Sequence, residues 1–220
     1  MTGLVRKIIR FSYVDGPGNR AVIFLQGCNL NCVYCHNPET IPRQDTPEAK
    51  TMSPQQVFDE IGSAKAFIRG ITMSGGECTL QNGFVTKVFQ LAKEKNLSTF
   101  IDSNGTYDFS QDKSLLDVTD AVMLDIKSTS LPPDISFLGV IGKLYEIRTV
   151  IYESMPEAKA LVTKAAKAIS PFNTHYKLIR FRPHGVRSEY IKKLTPPSNA
   201  TMQELQQTAY DSGAKKVIIQ

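Results

Sequence analysis

Apolar residues along this chain fall in two alternating patterns. Some form short unbroken runs bounded by turn formers; others recur every three or four residues over longer stretches. A short run reads as a strand covered on both faces, and the longer spacing reads as an amphipathic helix. Ala21-Val-Ile-Phe-Leu-Gln-Gly27 is the first such run. Ser53-Pro54 then supplies an N-cap with proline at the first helical position. It predicts a helix over 54–65 with Val57, Ile61 and Ala64 on its apolar face. A strand follows over 71–74, then a helix over 84–95 with Val85, Val88, Phe89 and Ala92 at helical spacing. The pattern continues with a strand over 98–102, a short helix over 111–116, and strands over 121–126 and 144–152. A helix over 156–169, a strand over 176–181, a helix over 201–212 closed by Gly213, and a strand over 217–219 complete it. Six core strands alternating with helices predict a mostly parallel α/β fold. No repeat or long linker interrupts it, so one domain over 1–220 is expected, with its core over about 18–185 and a C-terminal helix and strand within 198–220. Periodicity alone leaves an open barrel and a doubly wound sheet equally compatible.

Composition narrows the function classes only modestly. With 220 residues, 41% hydrophobic and 21% charged, the chain can bury a sizeable core and is not a disordered sequence. No apolar run comes near the roughly 20 residues of a membrane span. The first ten residues are charged and alternating and lack the apolar centre of a signal peptide, so a cytoplasmic protein that binds no membrane is expected. The formal charge is +5, but the basic residues are scattered singly. Nucleic-acid binding calls for a basic patch and is not expected here, whereas an acidic protein partner suits the sign.

The four cysteines change the picture more. Cys28, Cys32 and Cys35 crowd into Cys28-Asn-Leu-Asn-Cys32-Val-Tyr-Cys35, directly after the first strand, while Cys78 stands alone. Ligand sites of α/β folds gather at the carboxyl ends of their strands. Three thiolates on one loop can hold three irons of a cubane cluster and leave the fourth open to an external molecule. Structural zinc normally takes four protein ligands, and His36 is the one nearby residue that could complete such a set. Cys78 reads as a small buried residue and His175 as a surface or capping residue. Ser74-Gly-Gly-Glu77 ends a strand with two glycines that let backbone approach a ligand closely; an ordinary glycine turn is the alternative. Asp125 and Lys127 alternate onto one face at another strand end, where burial demands that they pair or meet a ligand.

The Cys-x3-Cys-x2-Cys spacing, with Tyr34 before the last cysteine, resembles the signature of the radical S-adenosylmethionine (SAM) enzymes. The flanks Val14-Asp-Gly-Pro-Gly-Asn-Arg20, Phe24-Leu-Gln-Gly-Cys28 and Cys35-His-Asn-Pro38 resemble the activating enzymes of glycyl-radical enzymes, such as pyruvate formate-lyase activating enzyme. Lys7-Ile-Ile-Arg-Phe-Ser12 and Ser74-Gly-Gly-Glu77 look closest to the YjjW-type branch. The resemblance covers about 4–185. It implies a partial (β/α)6 barrel with one [4Fe-4S] cluster on Cys28, Cys32 and Cys35, and SAM bound at the open iron. It also implies an electron from flavodoxin or ferredoxin, cleavage of SAM to a 5′-deoxyadenosyl radical, and removal of a hydrogen from a glycine of a partner enzyme. By the same resemblance Gly75, Gly76 and Glu77 receive the amino group of SAM and Lys127 its carboxylate. Tyr34, Asp102, Arg148 and His184 line the cleft, and Lys127, Asp102 and Asp125 fall at catalytic positions. Asp15, Asp102 and Asp125, with carbonyls near Ser103 and Met123, resemble a monovalent-cation site, and His36 matches a residue beside the cluster.

Two features depart from that pattern. Residues 36–51 contain no cysteine, so the ferredoxin-like insertion of many relatives, with its additional clusters, is not expected. The connection over 128–143 is short, carries Pro132-Pro133 and has room for one or two helical turns over 134–140. Rival readings are an activase of anaerobic ribonucleotide reductase, a radical SAM enzyme acting on a small molecule or RNA, and a zinc- or cluster-stabilised binding module without turnover.

Overall fold

Backbone pairing brings in strands that periodicity did not reveal. The computed structural model describes residues 1–44, 46–130, 132 and 134–220. By their packing these residues sort into two compact units. Met1–Asn31, Glu39–Ser103 and Phe109–Val122 make the first; Cys32–Pro38, Asn104–Asp108 and Met123–Gln220 make the second.

In the first unit, β1 (Gly3–Ser12), β2 (Arg20–Leu25), β3 (Lys50–Met52), β4 (Gly70–Gly75) and β5 (Ser98–Ser103) lie in the order β3-β1-β2-β4-β5. β2, β4 and β5 are parallel, with Ala21 opposite Ile71 and Ile71 opposite Thr99. Every residue of β2 is buried, as its unbroken apolar run requires. β1 pairs antiparallel with β2 and β3 and was not anticipated. Its apolar positions are mixed with Arg6, Lys7 and Arg10, and Ile9 and Phe11 stay exposed, so ladder hydrogen bonds hold it more than burial does.

The helices of this unit are α1 (Pro54–Ile61), α2 (Asn82–Glu94) and α3 (Lys113–Val118). Ser53 and Gln56 form a reciprocal capping box at the expected start of α1. Its expected end at 65 is corrected: Gly62 adopts a φ of 59° and stops the α-helix, and Gly62–Phe67 continues as 3-10 turns. Glycine alone takes that backbone conformation without steric cost. α3 starts later than expected because Asp112 caps it, accepting the Leu115 N–H at 3.0 Å. Val57, Phe58 and Ile61 of α1 and Val85, Val88 and Phe89 of α2 are fully or almost fully buried.

A buried cation organises the amino ends of these strands. Arg20 is 0% exposed. Its Nε donates to Thr72 Oγ1 at 2.9 Å, its Nη1 to Ser98 Oγ at 2.9 Å and its Nη2 to the Ile71 carbonyl at 2.7 Å, while Phe100 lies 4.1 Å beneath it. Gly16 and Gly18, with φ of 121° and 73°, turn the preceding loop around this side chain. The Asp-Gly-Pro-Gly-Asn-Arg stretch therefore has a structural duty of its own.

β6 (Ala121–Asp125) begins in the first unit and ends in the second, where the order is β6-β7-β8-β9 with β7 (Leu144–Ile151), β8 (His175–Arg180) and β9 (Lys216–Ile219). β7, β8 and β9 are parallel. The parallel α/β expectation is met by β2, β4 and β5 and by β7, β8 and β9, while β1 adds antiparallel pairs to the first unit. Ile147, Thr149, Ile151, Tyr176 and Leu178 are buried on one face of β7 and β8, and Glu146, Arg148 and Lys177 alternate onto the other. α5 (Ala158–Ile169) and α7 (Asn199–Asp211) pack on each other, and Leu161, Ala165, Met202 and Leu205 on them are buried. The short connection carries α4 (Asp134–Val140), as its length allowed; Pro133 of that connection lies outside the described residues. α6 (Ser188–Ile191), a single turn, was not foreseen. Among the described residues no helix is long and apolar enough to cross a membrane.

Replacing Arg20 by Met keeps the volume and removes every donor. Thr72 and Ser98 are then left with buried acceptors unmatched, so the stability of the chain should fall by about 2–4 kcal/mol. Urea unfolding followed by far-ultraviolet circular dichroism measures this, and an unchanged midpoint would deny Arg20 that role.

Candidate active site

In the first unit, the loop that leaves β2 toward Cys28 is tied down on two sides. The Gly76 N–H donates to the Leu25 carbonyl at 3.0 Å and the Glu77 N–H to the Gly27 carbonyl at 2.8 Å. The Gly27 N–H donates to Thr40 O at 2.8 Å and the Cys28 N–H to Ile41 O at 3.0 Å. These contacts require glycine. A Cβ on Gly75 would sit 2.3 Å from Leu25 backbone, and one on Gly76 would sit 2.1 Å from the Gly27 carbonyl. The two glycines thus serve chain-to-chain approach, whatever room they also leave for a ligand. Glu77 is 1% exposed. Its Oε1 accepts from the Thr79 N–H at 3.2 Å, Thr79 Oγ1 at 2.6 Å and Ser103 Oγ at 3.1 Å, which braces the β4 exit against the β5 exit.

Asp102 Oδ2 accepts from Ser74 Oγ at 3.0 Å. Its carbonyl accepts the Cys78 thiol at 3.5 Å. Cys78 is buried, and burial pushes its thiol well up, which suits the inert core residue expected. Cys28 Sγ accepts the Leu30 N–H at 3.4 Å, and Arg43 Nε donates to the Cys28 carbonyl at 3.1 Å. Asp15 is engaged elsewhere: Ser12 Oγ donates to its carboxylate at 2.5 Å and Thr72 Oγ1 to its carbonyl at 2.7 Å.

The second unit gathers Tyr34, Asp125, Lys127 and Arg148. Lys127 Nζ meets Asp125 Oδ2 at 2.8 Å, and Arg148 Nε meets Asp125 Oδ1 at 3.0 Å. Behind them Glu146 Oε1 lies 3.9 Å from Arg148 Nε, and Glu146 Oε2 takes Lys177 Nζ at 2.9 Å. Burial by itself would lower the Lys127 ammonium, but the Asp125 carboxylate beside it, together with Tyr34 and Cys32, holds it well above the usual lysine value. Burial pushes Glu146 upward, with Lys177 opposing. Lys127, Arg148 and Lys177 each lie against Asp125 or Glu146. Tyr34 packs beside Tyr152 with ring centroids 6.3 Å apart, and Lys127 Nζ lies 5.8 Å from its centroid. Burial pushes the Tyr34 phenol up to about 12, with Lys127 opposing. Met123 is buried in β6, and His184 is exposed on the loop after β8.

The Cys32–Cys35 turn belongs to this unit and closes on itself through a Cys35 N–H to Cys32 O bond of 3.2 Å. His36 points to the β8 exit: its Nε2 pairs with the Arg182 carbonyl at 2.9 Å and its ring stacks on Phe181 at 6.3 Å. Arg187, which the sequence did not single out, donates from Nη2 to the Cys32 carbonyl at 3.1 Å. Its signal in the sequence was only a basic residue shortly after Arg182-Pro-His-Gly185. Among the described residues no group of three or more His, Cys, Asp or Glu is assembled to hold a metal ion.

Residues 22–144 match the Radical SAM superfamily. The chain belongs to that superfamily. It is 32% identical to a protein of Haemophilus influenzae named as a glycyl-radical enzyme activating enzyme, over 97% of this chain and 95% of that one. It is 43% identical to the pyruvate formate-lyase-activating enzyme of Streptococcus mutans over 58% of this chain and 51% of that one, so this chain spans about half the length of that relative. A radical SAM methyltransferase of Sphaerobacter thermophilus has a matching structure, with a TM-score of 0.62 and 12% identity over 100% of this chain and 77% of that one. Likeness at that identity carries the fold, and the fold class is the one expected, that of the (β/α)6 radical SAM proteins.

This radical SAM family implies a [4Fe-4S] cluster and SAM, and the donor set fits them. Cys28, Cys32 and Cys35 are in no disulfide and partly exposed, and thiolate is the soft ligand that iron–sulfur clusters use.

The raised Tyr34 phenol gives the site a pH signature. Its ordinary value is 10.0 and its folded value about 12, so between these the unfolded chain releases a proton that the folded chain keeps. Stability should therefore fall with rising pH across that window, by about 1.4 kcal/mol per unit at most. The Lys127–Asp125 pair acts in the same sense, complete below 10.5 and lost as pH climbs through the higher folded value. Tyr34→Phe should flatten the decline measured by urea unfolding at successive alkaline pH values. Identical slopes in both proteins would contradict the burial of this phenol.

Proposed function

We propose that this chain is an activase that generates a glycyl radical on a partner enzyme. The observation that carries this reading is the match, along nearly the whole of both chains, to a glycyl-radical enzyme activating enzyme. The three-thiol loop and the cationic strand ends support it.

Cys28, Cys32 and Cys35 would hold the cluster, leaving one iron without a protein ligand. When bound, the cluster and SAM supply one electron and a cleavable sulfonium, yielding methionine and a 5′-deoxyadenosyl radical that takes a hydrogen atom from the partner's glycine. The chain's own residues bind and orient. Lys127 and Arg148, sharing Asp125, offer positively charged donors that suit the carboxylate of SAM. Asp125 keeps both cations fixed and prevents them from turning to solvent. Tyr34 and Tyr152 shield that charge from water and so strengthen its pull on a bound anion. Gly75 and Gly76 present backbone, with Glu77 and Asp102 nearby in the chain, to the amino end of the ligand. His184 lies on a loop that can reach the same ligand. A flavodoxin or ferredoxin is the electron donor in this reading, and the +5 charge of the chain suits such acidic carriers. A monovalent cation at Asp15, Asp102 and Asp125 would compete with Lys127 and Arg148 for the Asp125 oxygens. The reading places the protein in the cytoplasm.

Anaerobic reconstitution should give about four irons per chain, absent after Cys28→Ala, Cys32→Ala or Cys35→Ala and kept after Cys78→Ala. One zinc and no iron would defeat the cluster assignment. Lys127→Ala should weaken SAM binding roughly ten- to a hundredfold while leaving cluster absorbance intact. Unaltered affinity would remove Lys127 from the ligand contacts. Mixing the reduced protein and SAM with a candidate glycyl-radical enzyme should produce a doublet in the electron paramagnetic resonance spectrum, lost when the partner's glycine is replaced. Deoxyadenosine formation with a small molecule, and no protein radical with any candidate, would overturn the activase reading.

A further inference from the structure

Within the second unit, the chain that leaves β8 folds over the turn that carries Cys32 and Cys35. Arg187 Nη2 donates to the Cys32 carbonyl at 3.1 Å, a contact across 155 positions of sequence. The same carbonyl accepts the Cys35 N–H at 3.2 Å, so a single oxygen both closes the turn and ties it to Arg187. Two neighbouring contacts hold the other end of the turn. His36 Nε2 pairs with the Arg182 carbonyl at 2.9 Å, and Gly185, at a φ of 82°, lies where a Cβ would come within 2.5 Å of the His36 carbonyl.

Arg187 is not a loosely placed surface cation. Its side chain is 24% exposed and its guanidinium carbon lies 4.7 Å from the Tyr190 ring centroid, which limits its motion. Its Nε is buried without a hydrogen-bond partner, because Glu189 Oε1 stops at 4.0 Å. A buried charged N–H left without an acceptor is costly. Here the spare donor belongs to the same guanidinium that grips a residue expected to ligate the cluster. Thiolate and sulfide sulfur are acceptors that the bound group would add beside that residue.

We propose that Arg187 is a positioning residue for the cysteine loop: it clamps the Cys32 carbonyl and fixes a positive charge beside a cluster ligand, raising the reduction potential of the bound cluster. This rests on the cluster reading above. Reduction adds one negative charge to the cluster, and a nearby cation held in place stabilises the reduced form more than the oxidised one. Net charge, hydrogen bonds to sulfur and exposure are the means by which a protein sets such potentials. Arginine suits the task because it stays charged at every accessible pH and offers several donors in one plane.

The test compares Arg187→Lys, Arg187→Gln and Arg187→Ala in the full chain. After anaerobic reconstitution, redox titration read by electron paramagnetic resonance should place the Gln and Ala variants at more negative potentials than the wild type. The Lys variant, which keeps the charge, should stay close to it. Equal potentials in all four proteins, at equal iron content, would overturn the electrostatic role. Amide hydrogen exchange of the cluster-free protein reads the clamp independently. Exchange in the Cys32–Pro38 segment should be on the order of tenfold faster in Arg187→Ala, and no acceleration would overturn the clamp. A wild type that takes up no iron would defeat the underlying reading instead, and is recognised before any variant is compared.

Discussion

One carboxylate shared by two cations fixes the charged interior of the second unit. Asp125 closes β6 with Lys127 on one oxygen and Arg148 on the other. Its charge offsets the cost of holding two cations away from water, since an unpaired interior charge costs several kcal/mol. Glu146 and Lys177 extend the network along β7 and β8. Tyr34 completes it from the cysteine loop, its phenol kept neutral by burial against the opposing pull of Lys127.

The first unit solves a different problem, that of holding loops close together. Its strands end in backbone that must approach other backbone to hydrogen-bond distance, and Gly75 and Gly76 are what allow it. Glu77 turns inward to Thr79 and Ser103 and pins two strand exits to each other. At the opposite ends of the same strands, Arg20 does comparable work with Thr72, Ser98 and Ile71. Residues that a motif marks as functional thus also carry the local structure. A variant of Glu77 or Gly76 therefore alters the shape of the loop as well as any ligand contact.

The order of elements was legible because each one carries a local signal. The buried run of β2, the capping box at Ser53 and the periodic face of α2 depend on residues close in sequence. β1 was missed for the converse reason: its ladder bonds are made with distant backbone, and backbone has no side-chain signature. The α-helix that stops at Ile61 was overrun because apolar spacing continues past Gly62, whereas the φ of 59° there ends it.

The same division holds at the candidate site. The amino-acid sequence by itself determined the three-thiol loop, the alternation of strands and helices, the charged residues at the strand ends and the membership of a radical SAM family. Type and spacing are enough for those, since ligand chemistry and periodicity are local properties. Only the tertiary structure decided which partners the charged groups take. Asp125 finds Arg148 on the next strand, Glu146 finds Lys177 one strand further on, and Arg187 reaches Cys32 over 155 positions. Such pairs form because parallel strands set side by side residues that the chain separates by a helix, and desolvation then compels each buried charge to take the opposite charge or acceptor that folding has brought within reach.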